Sequence, residues 1–512
     1  MLLTASCAAP AAAPSATPAH FVSAAPAAKG IPVASRPLTL AAGEVVELGV
    51  RADGSAAAAL ETPTGNERFI LIIASARLDA QRTPLTYALE LGVQAEPSTS
   101  SSLTGCSLDA SRWAPSPLSS EAAPVGEGPA LGTKRSLEIT GPDGTSAIES
   151  EVISVGEHAS VIRDLTHPTT LDGAFAEQFR ADFEDIILPR ARQVFGTESD
   201  IDGNGRIQLV FSRLTRERGV AFFSACDLLA TLEGCPASNR GEYLYLTPPD
   251  AIAPPYNTAN AIKEILTHEL GHLLHFNRKV LRNQLTAWTD TVYASEGIGA
   301  LAQDVVGYQA GNLYVAKAGL DGIDAVSLSD IMTPRRPEGR ADGVLRGAAY
   351  LFFRWLYDRA GGDEVLGNAV ISRGGPAFLR ALLDAPEPVM VALPRLARGA
   401  VPDLALDFFT ALAISNREES GLAAAQNPCF RYLPVARDPV TGKQRGTSLF
   451  AAFHGMRMTG PRLTSATAPD QSLLPGGVEY VSLDAAPGQP QTSFAVHIDP
   501  SAAPRVRVAR VR

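Results

Sequence analysis

The residues best equipped for chemistry sit in one short run, Thr267-His268-Glu269-Leu270-Gly271-His272-Leu273. Side chains four apart on an α-helix stand one turn above each other, so His268 and His272 project to the same side and reach one ion. Two imidazoles at that separation suit Zn2+, whose bonds to nitrogen are about 2.0 to 2.1 Å long. Glu269 is rotated by about 100° from His268. It faces the same ion without ligating it, where a general base belongs. Ile265, Leu266, Leu270, Leu273 and Leu274 make this a buried helix. The competing reading, two core histidines and a surface glutamate, leaves buried polar groups uncompensated.

A catalytic zinc takes three protein ligands and keeps one position for solvent. His275 is a rival for the third place, but it lies on the same helix and cannot easily converge with the other two on a tetrahedral ion. The spacing H-E-x-x-H-x-x-G-x-x-H fails too, with His275 where Gly is required and Arg278 where the last His would stand. Glu296, in Tyr293-Ala294-Ser295-Glu296-Gly297-Ile298, follows His272 by 24 residues. That interval permits a loop and a return helix that brings a carboxylate beside the imidazoles. The competing reading of Glu296 is an exposed acid at a helix start.

A second pattern is Asp200-Ile201-Asp202-Gly203-Asn204-Gly205. Oxygen donors at positions one, three and five with Gly at six match the first half of a calcium loop, although Phe211 stands where the twelfth-position Glu would be. Asp200, Asp202 and Asn204 are therefore candidate Ca2+ ligands, completed by other groups. The alternative is a polar turn before a strand.

These residues need elements to hold them. Residues 35 to 100 carry short strand-like runs such as Phe69-Ile70-Leu71-Ile72-Ile73 between turn signals, which reads as a small β-sandwich. Residues 101 to 130 are rich in Ser, Pro, Gly and Glu and read as a linker. From 131 to 425, strand-like pieces at 135–165, 206–211, 221–224 and 242–246 and a helix near 173–195 precede helical segments at 259–279, 291–308, 345–359 and 376–415. A mixed sheet followed by a helical half predicts an α+β domain. Residues 426 to 512 return to β-type runs and predict a terminal β domain, with Arg505, Arg507, Arg510 and Arg512 giving its last strand one charged face.

The chain has 512 residues, 45% of them hydrophobic and 19% charged, enough for several packed units. A net charge of -10 argues against a nucleic-acid binder. No run of eighteen apolar residues is present, so no transmembrane helix is expected. Residues 1 to 34 begin Met1-Leu2-Leu3-Thr4-Ala5-Ser6-Cys7, which looks like the end of a bacterial lipoprotein signal followed by an Ala/Pro tether. It lacks the charged start and long apolar segment of a full signal. A lipid anchor through Cys7 and a plain low-complexity leader both fit. Five cysteines leave four once Cys7 is set aside. Cys226 and Cys235 close a short loop and are expected to pair, Cys106 with Cys429 follows by elimination, and buried free thiols are the alternative.

Around the histidines the chain resembles the gluzincin metallopeptidases, and within them the hyicolysin-type secreted enzymes. In that family the zinc helix is followed by a segment like W-L-N-E-G-L-x-x-x-A-E-D-L-V-G. Here Trp288 is displaced, and the later part reads Ala294-Ser295-Glu296-Gly297-Ile298-Gly299-Ala300-Leu301-Ala302-Gln303-Asp304-Val305-Val306-Gly307, with Ser295 for Asn and Gln303 for Glu. The Asp200–Gly205 run and Gly347-Ala348-Ala349-Tyr350-Leu351-Phe352 extend the likeness over roughly 135 to 420. The resemblance implies a thermolysin-like zinc peptidase domain, a protein or peptide substrate, and secretion or lipid anchoring at the bacterial cell envelope. It implies Glu269 as the base that passes a proton to the leaving amine. Tyr350 becomes the candidate oxyanion donor, with Tyr293 and His275 behind it, and Asp304 a candidate to orient a ligand imidazole. No Gly-x-Met-Glu-Asn segment of the related aminopeptidases is present, which favours internal cleavage. Two alternatives remain: a catalytically silent surface binding protein, which has no need of Glu269, and a zinc hydrolase of non-peptide substrates.

Overall fold

The computed structural model describes residues 37–512 apart from 79–82, 104, 114–120, 310, 333–341, 416, 418–426, 454, 469–470 and 486. The expected leader and the anchor at Cys7 lie outside the described residues. The architecture is mixed α+β.

Strand Arg68–Ser75 shows how its sequence encodes its place. Phe69, Leu71 and Ile73 point into one core, whereas Ile70 and Ile72 point into another. A strand covered on both faces reads as an unbroken apolar run rather than an alternating one. Its neighbours correct the expected domain boundaries: Arg68–Ser75 pairs with both Val478–Asp484 and Pro504–Arg510, and Ser55–Glu61 pairs with Gln491–Ile498. The segments 35–100 and 426–512 thus build one sandwich of a six-stranded and a four-stranded sheet, not two separate β domains. Neither segment alone supplies enough strands to bury both faces of a core, and each satisfies its open edges with the other.

The segment 101–130 is likewise no free linker where it is described. Cys106 is bonded to Cys429, and Glu121 accepts hydrogen bonds from Arg278 at 2.9 Å, Arg282 at 2.8 Å and the Thr197 amide at 2.9 Å. Its polar composition records a path along the surface, not detachment from it.

The second unit is a six-stranded mixed sheet with helices on one face. Its order runs from Ala221–Phe223 at one edge through Tyr243–Leu246, Ile207–Phe211, Ala159–Asp164 and Gly144–Val155 to Lys134–Gly141. Alternation assigns the faces: Val161, Leu209 and Leu244 pack toward the helices, and Ile162, Val210, Tyr243 and Tyr245 pack away from them. The expected helical segment 376–415 is three helices, Gly375–Asp384, Val389–Ala397 and Val401–Ile414. Pro386 and Pro388 interrupt the first connection, where a missing amide donor ends helical bonding.

Three helices matter for the site and are named here by what they carry. The histidine helix is Ala259–Phe276, the glutamate helix Val292–Val306 and the arginine helix Asp342–Arg359. Thr258 and Thr291 cap the first two, each accepting from the amide three residues on. Every residue from Ile262 to Phe276 is buried, as expected for a helix apolar on most of its circumference. Small residues let the helices approach closely. A Cβ on Gly271 would stand 2.8 Å from the Ala302 Cβ, and one on Gly297 would stand 2.6 Å from the Phe353 ring.

Candidate metal centre

His268 and His272 stand one turn apart on the histidine helix with their rings edge to face, centroids 4.7 Å apart. The glutamate helix crosses beside them. Glu296 Oε2 lies 3.3 Å from His268 Nε2, longer than an ordinary charge-assisted hydrogen bond. Tetrahedral bonds of about 2.0 to 2.1 Å space ligand atoms about 3.3 Å apart, so this separation fits an edge of a zinc coordination sphere. Ligand atoms of His268, Glu269 and His272 all lie within 4.8 Å of one another.

The other ring nitrogens are tied down by the glutamate helix. Gln303 donates through Nε2 to the Glu264 carbonyl at 3.2 Å, which turns its Oε1 toward His268 Nδ1 at 3.3 Å. His268 therefore carries its proton on Nδ1 and presents a lone pair at Nε2. Ser295 Oγ lies 2.9 Å from His272 Nδ1. His272 Nε2 is buried and has no partner, and the same holds for Glu269 Oε1. Two such atoms facing one space are what a cation and its solvent would satisfy. Gly299 completes the cradle, since a Cβ there would sit 2.8 Å from His268 Nε2. By donor chemistry, by the unsatisfied atoms and by the room left for them, these residues fit zinc.

Electrostatics separates the two glutamates. Burial, then the nearby Glu296 charge, raises the Glu269 carboxyl well above its ordinary range, while its Oε2 accepts from the Phe223 amide at 3.0 Å. Burial works against the charged form of Glu296 as well, but Arg346, donating from the arginine helix to Oε2, holds it far below the usual carboxylate range. Arg346 is itself braced by Asp342, whose other oxygen accepts from the Tyr293 hydroxyl at 3.0 Å. Burial, followed by His268 beside it, lowers His272 to about 3, keeping the imidazole neutral and able to ligate. The environment thus gives one carboxyl affinity for a proton and the other none.

A narrow cleft opens onto the group, lined by Phe223, Glu269, His272, Phe276, Trp288 and Glu296 among others. Phe223 ends the sheet's edge strand, so main-chain groups border the cleft.

Several expected roles are corrected. Tyr350 is fully buried, and its hydroxyl is held by Asp304 at 2.9 Å and Thr447 at 2.6 Å, a core position that gives no oxyanion donor to the cleft. Asp304 does not orient an imidazole; it pairs with Arg354 at 2.7 Å and accepts from the Gly446 amide. Gln303 and Ser295 occupy that role instead. They lie seven residues after and one before Glu296, on the face that meets the histidines, and helical spacing from Glu296 was the available signal. His275 turns away to Asp290 at 2.7 Å, with Trp288 packed against its ring at 4.9 Å. Tyr293 acts through Asp342. Of the candidate calcium ligands, Asn204 lies beside Asp202, its Nδ2 donating to that carboxylate and its Oδ1 accepting from the Arg206 amide. Cys226 is bonded to Cys235, and Cys106 to Cys429. No helix among the described residues is long and apolar enough to cross a membrane. No protein-family model and no curated protein matches the chain, so the site rests on its own geometry.

Proposed function

We propose that the protein is a zinc-dependent peptidase of thermolysin-like, gluzincin type, acting outside the reducing cytoplasm and cleaving peptide chains internally. The observation that carries this reading is the grouping of His268 and His272 with Glu269, whose Oε1 has no partner, together with Glu296 at 3.3 Å from His268 Nε2. His268 Nε2, His272 Nε2 and the Glu296 carboxylate would hold the ion. Zinc bound there supplies a Lewis acid that acidifies solvent and polarises a carbonyl.

The chain's own groups account for the remaining steps. Glu269 takes a proton from the attacking solvent on Oε1, its Oε2 being anchored by the Phe223 amide. The same carboxyl then returns that proton to the departing amine. Phe276, Trp288 and Phe223 exclude water and receive apolar substrate side chains. The edge strand Ala221–Phe223 favours a peptide over other substrates, because an extended main chain adds to an open sheet edge through backbone hydrogen bonds. The two disulfides support an oxidising compartment.

Zinc content measured by plasma mass spectrometry, together with casein cleavage, tests the reading. The parent is expected to hold one zinc and cleave casein. Glu269→Gln should keep the metal and lose about 10²- to 10⁴-fold in rate. Cleavage that survives Glu269→Gln unchanged would sink the base assignment. Zinc binding with no cleavage by the parent would favour a silent binding protein.

A further inference from the structure

The calcium-like run found in the sequence is completed by a residue far from it. We infer that Asp200, Asp202 and Glu242 form a second metal site, for Ca2+, on the sheet that also carries Phe223. Their carboxylate oxygens lie within 4.8 Å of one another. An acidic cluster alone would prove nothing, but Glu242 is only 1% exposed, and its Oε2 makes no well-formed hydrogen bond, with the Ser199 hydroxyl beside the carboxyl. Its Oε1 accepts from the Ile201 amide at 3.1 Å, which aims the carboxyl at the Asp200–Gly205 loop. A buried carboxylate with an oxygen so poorly satisfied beside two further acids calls for a cation.

The backbone is built around the cluster. Gly205 donates its amide to Asp200 Oδ1 at 3.0 Å and holds φ at 70°, a conformation that glycine favours. A Cβ on Gly241 would stand 2.9 Å from Asp202 Oδ2, so glycine there lets the segment that carries Glu242 into Tyr243–Leu246 close on the loop. The positive group facing the cluster, Arg135, donates to Gln208 at 3.1 Å and stacks over Tyr243 at 5.5 Å. Oxygen-only donors with Asp202 exposed to solvent suit a large hard ion that completes its shell with water, which selects calcium over zinc.

The site would clamp the loop before Ile207–Phe211 to the start of Tyr243–Leu246, which pairs directly with the strand whose Phe223 amide holds Glu269. Calorimetric titration of CaCl2 into the full-length protein, with zinc present throughout, tests it. One equivalent should bind with Kd on the order of 10⁻⁶ to 10⁻³ M and raise the unfolding temperature. Glu242→Gln and, separately, the exposed Asp202→Asn should each weaken binding by about tenfold or more. The proposal is overturned by an absence of heat and of any temperature shift in the parent at about 10 mM, or by unchanged affinity in Asp202→Asn. An equal response to Mg2+ at the same concentration overturns the calcium assignment.

Discussion

Ser295 and Gln303 decide which nitrogen of each imidazole can bind a metal. Neither is charged, and each touches one Nδ1 atom. Replacing such a partner lets the ring rotate or change tautomer, so Ser295→Ala and Gln303→Leu should each weaken zinc binding by about 10- to 100-fold. Competition with a chromogenic chelator measures this, and an unaltered affinity in both variants would remove the tautomer argument. The histidine pair and its glutamate were legible in the sequence because all three functions fall within one helical turn. The orienting pair was visible only as two departures from a familiar segment, Ser for Asn and Gln for Glu. Arg346 left no local trace: it stands 50 residues beyond Glu296 and meets it through tertiary packing. Glu242 was hidden from the calcium pattern for the same reason, being separated from Asp202 by 40 residues.

At the scale of elements, the site depends on how near the glutamate helix comes to the histidine helix. Gly299 faces His268, and Gly271 lies 3.2 Å from the Gly299 Cα by the position of an added Cβ. Helix axes meet this closely only where side chains are absent. Gly299→Ala should therefore displace the His268 ring or push the helices apart, lowering zinc affinity and activity together while raising intrinsic helix propensity. A crystal structure of that variant with His268 unmoved, and full zinc content, would contradict the cradle. Periodicity placed these helices well, since their ends carry Thr caps and their faces are strongly apolar. It did not give their mutual distance, because small residues inside an apolar helix look the same whether a neighbour or an ordinary core lies opposite.

In the whole molecule, the sandwich is closed by strands from opposite ends of the chain and docks on the helical unit through charges as well as apolar faces. Arg507, 3% exposed, pairs with Asp407 at 2.9 Å and with Glu47 at 3.0 Å, so the charged face of the last strand packs inward. Strand periodicity revealed that charged face but not its partner, since pairing across several hundred residues leaves no local pattern. Glu479, on Val478–Asp484 of the same sheet, is set differently. Burial, then Asp324 beside it, raises its carboxyl to about 7, with Thr464 and Arg462 opposing the shift. The unfolded chain loses this proton near 4.5, so between about 4.5 and 7 the folded state binds more protons than the unfolded one. Stability from this group is complete below that window and falls as pH rises through it. Glu479→Gln keeps an acceptor for Thr464 and removes the titration. Its unfolding temperature should match the parent at pH 4.5 and exceed it at pH 8, and parallel profiles for the two proteins would show that this carboxyl does not hold that proton.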